Sequence, residues 1–185
     1  NEEHVYFYVD EEKINEEVDA YLKDNNVIVK PYNAIYEDVK SCNEKDCVLL
    51  DKERVNYALV KCIPSGTKVI SAAAPSSLMK AMKNEVELEN LKEAHLKDGA
   101  AVTKFMYWLK TNIGKVEMDE LNAADYLLAC RKEQTHFLDE SFAPIVAYNA
   151  NAAMMHYSAK PDNFAIIKPE GMLLVDSGGQ YLEGT

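Results

Sequence analysis

Residues 162–185, DNFAIIKPEGMLLVDSGGQYLEGT, decide how the rest of the chain is read. Phe164 to Ile167 form a short apolar run, Pro169-Glu170-Gly171 marks a turn, and Met172 to Val175 form a second run that ends on Asp176. The pattern predicts two strands meeting at a carboxylate. Ser177-Gly178-Gly179 supplies backbone freedom where a strand bends, and Gln180 to Leu182 resumes an extended pattern. An Asp fixed at a strand end, with glycines leaving room beside it, is suited to a divalent cation. The same residues also suit an Asp that only opens a turn, because Asp and Gly dominate turns for conformational reasons.

Composition bounds the functions open to the chain. Its 185 residues allow one large domain or two small ones, with ample material for a core. Hydrophobic residues make up 48% and charged residues 28%, as in an ordinary globular protein. The formal charge of -11 argues against nucleic acid or an anionic membrane as partner, since either requires a basic face. No window approaches the roughly 18 apolar residues of a membrane helix, and no signal peptide pattern opens the chain. Cys42, Cys47, Cys62 and Cys130 show no CxxC spacing and are expected to be free thiols. Cytoplasm is the expected compartment. A start at Asn1 without Met and an abrupt end imply a piece of something longer.

Over the first eighty residues, strand and helix signals alternate. Val5 to Val9, Val27 to Val29, Cys47 to Leu50 and Thr67 to Ile70 read as strands. Between and after them, helices are predicted from Asp10 to about Lys23, after Asn33, from Glu53 to about Cys62, and from Ala74 to Asn84. Alternation of this kind implies a sheet covered by helices, an α/β or α+β layer structure. No Gly-rich phosphate loop follows any strand, which disfavours a nucleotide site.

From Asn84 the period lengthens. Val86, Leu88, Leu91, Ala94, Leu96, Val102, Phe105, Leu109 and Ile113 recur at threes and fours, with Asn84 and Glu87 spaced as a capping box and Gly114 placed to end the helix. Gly99 inside it predicts close packing or a slight bend. A second helix opens at Met118 to Leu121 and runs to about Gln134. His95 is expected to be a packed histidine and Trp108 to be core or helix-surface packing. Ser141 to Tyr148 reads as a strand interrupted by Pro144, and Asn149 to Ala153 as a small-residue loop leading to His156. On its own, a His after an apolar pair reads either as a structural histidine or as one that faces a ligand.

Together, IIKPEGMLLVDSGGQYLEGT and the upstream MMHY at 154–157 resemble the catalytic domain of aminopeptidase P, the Xaa-Pro aminopeptidases of the pita-bread metallopeptidase superfamily. ERVNYALVKCIPSGTKVISAAAPSSLMKAMKNEVELENLKEAHLKDGAAV, from Glu53 on, resembles the passage from the noncatalytic into the catalytic domain of the long, multidomain members. The resemblance implies a small α/β creatinase-N-like domain over residues 1–82, and over 83–185 the first half of a pita-bread domain, truncated. It implies two divalent metal ions, usually Mn²⁺, that generate a bridging hydroxide near neutral pH and polarise the carbonyl. Asp176 corresponds to one of the bridging carboxylates; the second aspartate, the metal-binding His and the two metal-binding Glu would fall beyond Thr185. His156 corresponds to a histidine that is not a ligand but hydrogen-bonds the scissile carbonyl or the developing oxyanion.

The activity implied is release of the N-terminal residue from peptides with proline at the second position. Two alternatives share most of residues 84–175: a noncatalytic pita-bread binding or scaffold protein, and a metal-free hydrolase of the creatinase kind. A carboxylate at position 176 leans toward the metallopeptidase. The piece alone is expected to be inactive, with open sheet edges and exposed apolar surface that call for a homodimer or a second segment completing the sheet.

Overall fold

The computed structural model describes residues 4–185, which divide into two units, one ending at Met82 and one over 83–185. In the first, β1 (Val5–Val9) pairs in parallel with β2 (Val27–Pro31), Val5 opposite Val27 and Val9 opposite Pro31. A parallel pair needs a crossover, and α1 (Glu16–Asp24) supplies it. The helix expected from Asp10 is broken. Asp10 caps only a 3₁₀ turn, Glu11–Lys13, and Asn15 takes an extended conformation and accepts from the Val18 N–H at 2.8 Å, starting α1 afresh. After α2 (Ala34–Lys40), β3 (Cys47–Leu50) and β4 (Lys68–Ser71) repeat the parallel pairing around α3 (Tyr57–Cys62). α3 starts later than the expected Glu53 because its cap is Asn56, whose side chain accepts from the Leu59 N–H. α4 (Pro75–Ala81) opens on its proline. Strand and helix do alternate, but in two separate two-stranded sheets.

The second unit is built on two helices. α5 (Glu85–Asn112) carries the full capping box at Asn84 and Glu87, and Gly114 follows it at φ +77. α6 (Glu120–Lys132) is capped by Asp119 with Asn122 reciprocating. Ala101 and Phe105 of α5, Met118, and Ala123, Leu127 and Cys130 of α6 form one buried cluster with Val146, Tyr148 and Ile167. Trp108 stacks on Tyr126 at 3.9 Å between ring centroids, as packing was expected to place it. The start of α5 differs from its apolar period: Val86, Leu88, Leu96 and the expected packed His95 are exposed, so burial begins only at Leu91 and Ala94. Gly99 has open space where a Cβ would stand, so it serves no close packing within the unit.

Two antiparallel ribbons lie with these helices. β5 (Phe137–Glu140) pairs with β8 (Gly179–Tyr181) through a bulge after Phe137, and β6 (Ile145–Tyr148) pairs with β7 (Leu173–Asp176). The strand expected over Ser141 to Tyr148 therefore starts only after Pro144, which has no N–H to give a ladder. The run Phe164 to Ile167 is not a strand either. Its backbone goes to the start of α6: the Glu120 N–H donates to Ala165 O and the Ile167 N–H to Met118 O. All four cysteines are free, and burial pushes the Cys130 thiol up. Among the described residues no helix is long and apolar enough to cross a membrane.

Candidate active site

Asp176 closes β7 opposite Ile145. Leu173, Val175 and Ser177 line a groove with Val102, Phe105 and Leu109 of α5. Side chains alternate along a strand, so Leu174 and Asp176 face away from the helices. Asp176 is exposed, and among the described residues its carboxylate has no hydrogen bond or ion pair. Behind it the chain is anchored. Arg131 of α6, fully buried, donates to both oxygens of Asp98 at 2.8 and 3.2 Å and to Ser177 Oγ at 3.1 Å. Tyr181 OH donates to Asp98 Oδ1 at 3.0 Å; burial and the Asp98 charge push that phenol far up. At Gly179 a Cβ would lie 2.6 Å from Asp98 Oδ1, so the backbone approaches this pair as only glycine allows.

His156 lies past the other end of the same ribbon. Tyr148 ends β6, a 3₁₀ turn spans Asn149–Ala153, and His156 follows, exposed and at φ +55. Asp176 and His156 thus belong to the two ends of one β6–β7 ribbon, whose paired ends are about 10 Å apart by strand rise. No hydrogen bond joins them.

The residue that sequence reading missed is Glu120. Fully buried at the first position of α6, its Oε1 accepts from the Tyr148 N–H at 2.6 Å and from Asn151 Nδ2 at 2.9 Å. Its Oε2 accepts from Tyr157 OH at 2.5 Å, the Ala165 N–H at 2.8 Å and Asn151 Nδ2 at 3.1 Å. Burial alone would raise this carboxyl, but the bonds from Tyr157, Tyr148, Asn151 and Ala165 outweigh it and hold the group below the usual range. Tyr157 is pushed up to about 12, by burial first and then by its bond to Glu120. A signal for Glu120 was present: it is in helical phase with Ala123, Leu127 and Cys130, and a charge on an apolar face has to find partners.

A third cluster sits at the chain's end. Lys97 Nζ meets Glu183 Oε1 and Glu93 Oε1, each at 2.8 Å, and His136 Nδ1 also contacts Glu183. Lys97 and His136 together hold the Glu183 carboxyl down at about 2. Among the described residues no three His, Cys, Asp or Glu side chains converge as a metal site would need. Asp176 is an available oxygen ligand, and these residues alone do not complete a coordination shell.

Residues 1–87 match the creatinase/prolidase N-terminal domain, and residues 89–185 match metallopeptidase family M24. A probable Xaa-Pro aminopeptidase P of Sclerotinia sclerotiorum is 40% identical over 187 residues, which are 96% of this chain and 31% of that protein. One from Leptosphaeria maculans is 38% identical over 98% of this chain and 32% of its own length. The chain therefore spans about a third of the curated relatives it matches. The crystal structure of X-prolyl aminopeptidase from Caenorhabditis elegans, described as a cytosolic enzyme with a di-nuclear active site, superposes with a TM-score of 0.82 at 26% identity, over 96% of this chain and 30% of that one. The match over residues 89–185 takes in both helices and both ribbons of the second unit, and the chain is a member of metallopeptidase family M24.

Proposed function

We propose that these residues form part of a longer, cytosolic, metal-dependent aminopeptidase that releases the N-terminal residue from peptides with proline second. The observation that carries this reading is Asp176: an exposed carboxylate at the end of β7, unpaired among the described residues and turned away from the helical core. Oxygen donors of this kind suit a hard divalent ion, and we take the metals to be two Mn²⁺ ions. Asp176 is the ligand this chain contributes, and the remaining ligands come from outside these residues. When bound, such ions make water a nucleophile near neutral pH and polarise a carbonyl. His156, exposed beyond the ribbon's other end, is assigned to donate a hydrogen bond to the oxygen on which charge develops. The exposed Met172, Leu174 and Ile166 offer apolar surface for the segment, or the second subunit of a homodimer, that extends the sheet.

The test is Asp176→Asn in the complete protein. Metal content measured by mass spectrometry is expected to fall together with hydrolysis of an Xaa-Pro peptide. Full metal content in a folded Asp176→Asn protein would refute the ligand assignment. His156→Ala is expected to retain metal and to lose about a hundredfold or more in kcat, the usual effect of removing one oxyanion donor.

A further inference from the structure

His156 is a non-glycine residue at φ +55, a conformation that L side chains adopt infrequently. The surroundings are unusually specific. One carboxylate, Glu120, binds the chain at Tyr148, where β6 ends, at Asn151, inside the 3₁₀ turn, and at Tyr157, the residue directly after His156. Asn151 Nδ2 also reaches Tyr157 OH at 2.9 Å, so the two sides of the loop are tied to each other as well as to Glu120. The fourth partner, the Ala165 N–H, brings in the segment leading to β7. Glu120 is itself immobile: it sits in the first turn of α6, inside the capping box of Asp119 and Asn122, with no solvent exposure.

We propose that Glu120 is the positioning residue for His156: by gripping residues 148, 151 and 157 at once, it sets the loop that presents the imidazole to the reacting carbonyl. The proposal rests on the role given to His156 above. Glu120 touches neither substrate nor metal in this scheme and acts only through the loop. A carboxylate is required because it is all acceptor. Its two oxygens face two backbone N–H groups, a phenol and an amide, and a Gln in its place would point its own N–H groups at at least one donor that cannot turn round.

The experiment uses the complete protein in three single variants, Glu120→Gln, Tyr157→Phe and His156→Ala, and in the two doubles that combine His156→Ala with each of the others. Glu120→Gln is expected to lower kcat about tenfold or more with KM and metal content within twofold of the parent, and Tyr157→Phe to do the same to a smaller extent. In the His156→Ala background neither substitution is expected to lower kcat further, because the group they position is gone. A purely structural role would lower the melting temperature in both backgrounds and leave the kcat losses multiplicative. The inference is overturned if folded, metal-loaded Glu120→Gln keeps kcat within twofold, or if its loss multiplies onto that of His156→Ala. Should Glu120→Gln fail to fold, Tyr157→Phe decides by the same two criteria. Failure of the underlying reading is seen separately, as an unchanged kcat in His156→Ala alone.

Discussion

Glu120 opens α6 and Arg131 nearly closes it, two buried charges about 17 Å apart along one helix by its rise per residue. Both signs suit the helix dipole, acid at the N-terminus and base at the C-terminus. Their surroundings differ. Glu120 has every oxygen engaged and fixes four separate chain positions. Arg131 holds Asp98 and Ser177, yet its Nη1 is buried without a partner among the described residues, and Asp98 is itself a quarter exposed. A fully saturated charge defines its neighbours tightly, and a partly saturated one leaves them room to adjust. The loop carrying His156 should therefore be more sharply specified than the turn that follows Asp176.

The largest effect expected from this contrast is that of Glu120→Ala. It strands four donors, and at roughly 1 to 3 kcal/mol for each buried group, reduced by relaxation, the loss should be about 4 kcal/mol. Arg131→Met should cost about 2 kcal/mol, since the Asp98 it leaves behind can reach water. Urea unfolding of both variants of this chain ranks the two ends. Equal losses, or a larger one for Arg131→Met, would break the comparison.

A smaller effect sharpens the picture at the Glu120 end. Gly171 stands at φ +85, and a Cβ there would lie 2.3 Å from Asn149 Oδ1, the atom that accepts from the Met172 N–H at 2.9 Å. Gly171→Ala combines backbone strain with loss of that bond and should cost about 1 to 2 kcal/mol. A neutral result would mean that the 149–157 loop adjusts more freely than the Glu120 network implies.

Much of this architecture could be read from the sequence, and what could not has a physical reason. The capping box at Asn84 and Glu87, the strand ending on Asp176 and the alternation of the first eighty residues are local patterns, and local patterns are what a sequence displays. Phe164 to Ile167 misled because its backbone serves as a lid on the α6 N-terminus, a partnership set about 45 residues away. Glu120 was given no role, because its burial depends on Tyr148, Asn151 and Tyr157 arriving from elsewhere. Asp176 and His156 were each singled out by local pattern, but their places at opposite ends of one ribbon come from the Ile145–Asp176 register, which no single segment encodes.

The last and smallest prediction concerns pH at the Arg131 end, where Lys97, His136 and Glu183 meet beside β5 and β8. Lys97 first, then His136, hold the Glu183 carboxyl at about 2 in the folded chain, against an ordinary value of 4.5. A depressed acid binds fewer protons folded than unfolded, so its contribution is complete above 4.5 and fades as pH falls toward 2. Glu183→Gln removes this titration without removing the side chain. The stability gap between parent and Glu183→Gln should therefore narrow steadily as pH falls from about 5 toward 3, followed by urea midpoints at each pH. A gap that stays flat from pH 5 to pH 3 would mean that Glu183 keeps its unfolded affinity for protons when the chain is folded.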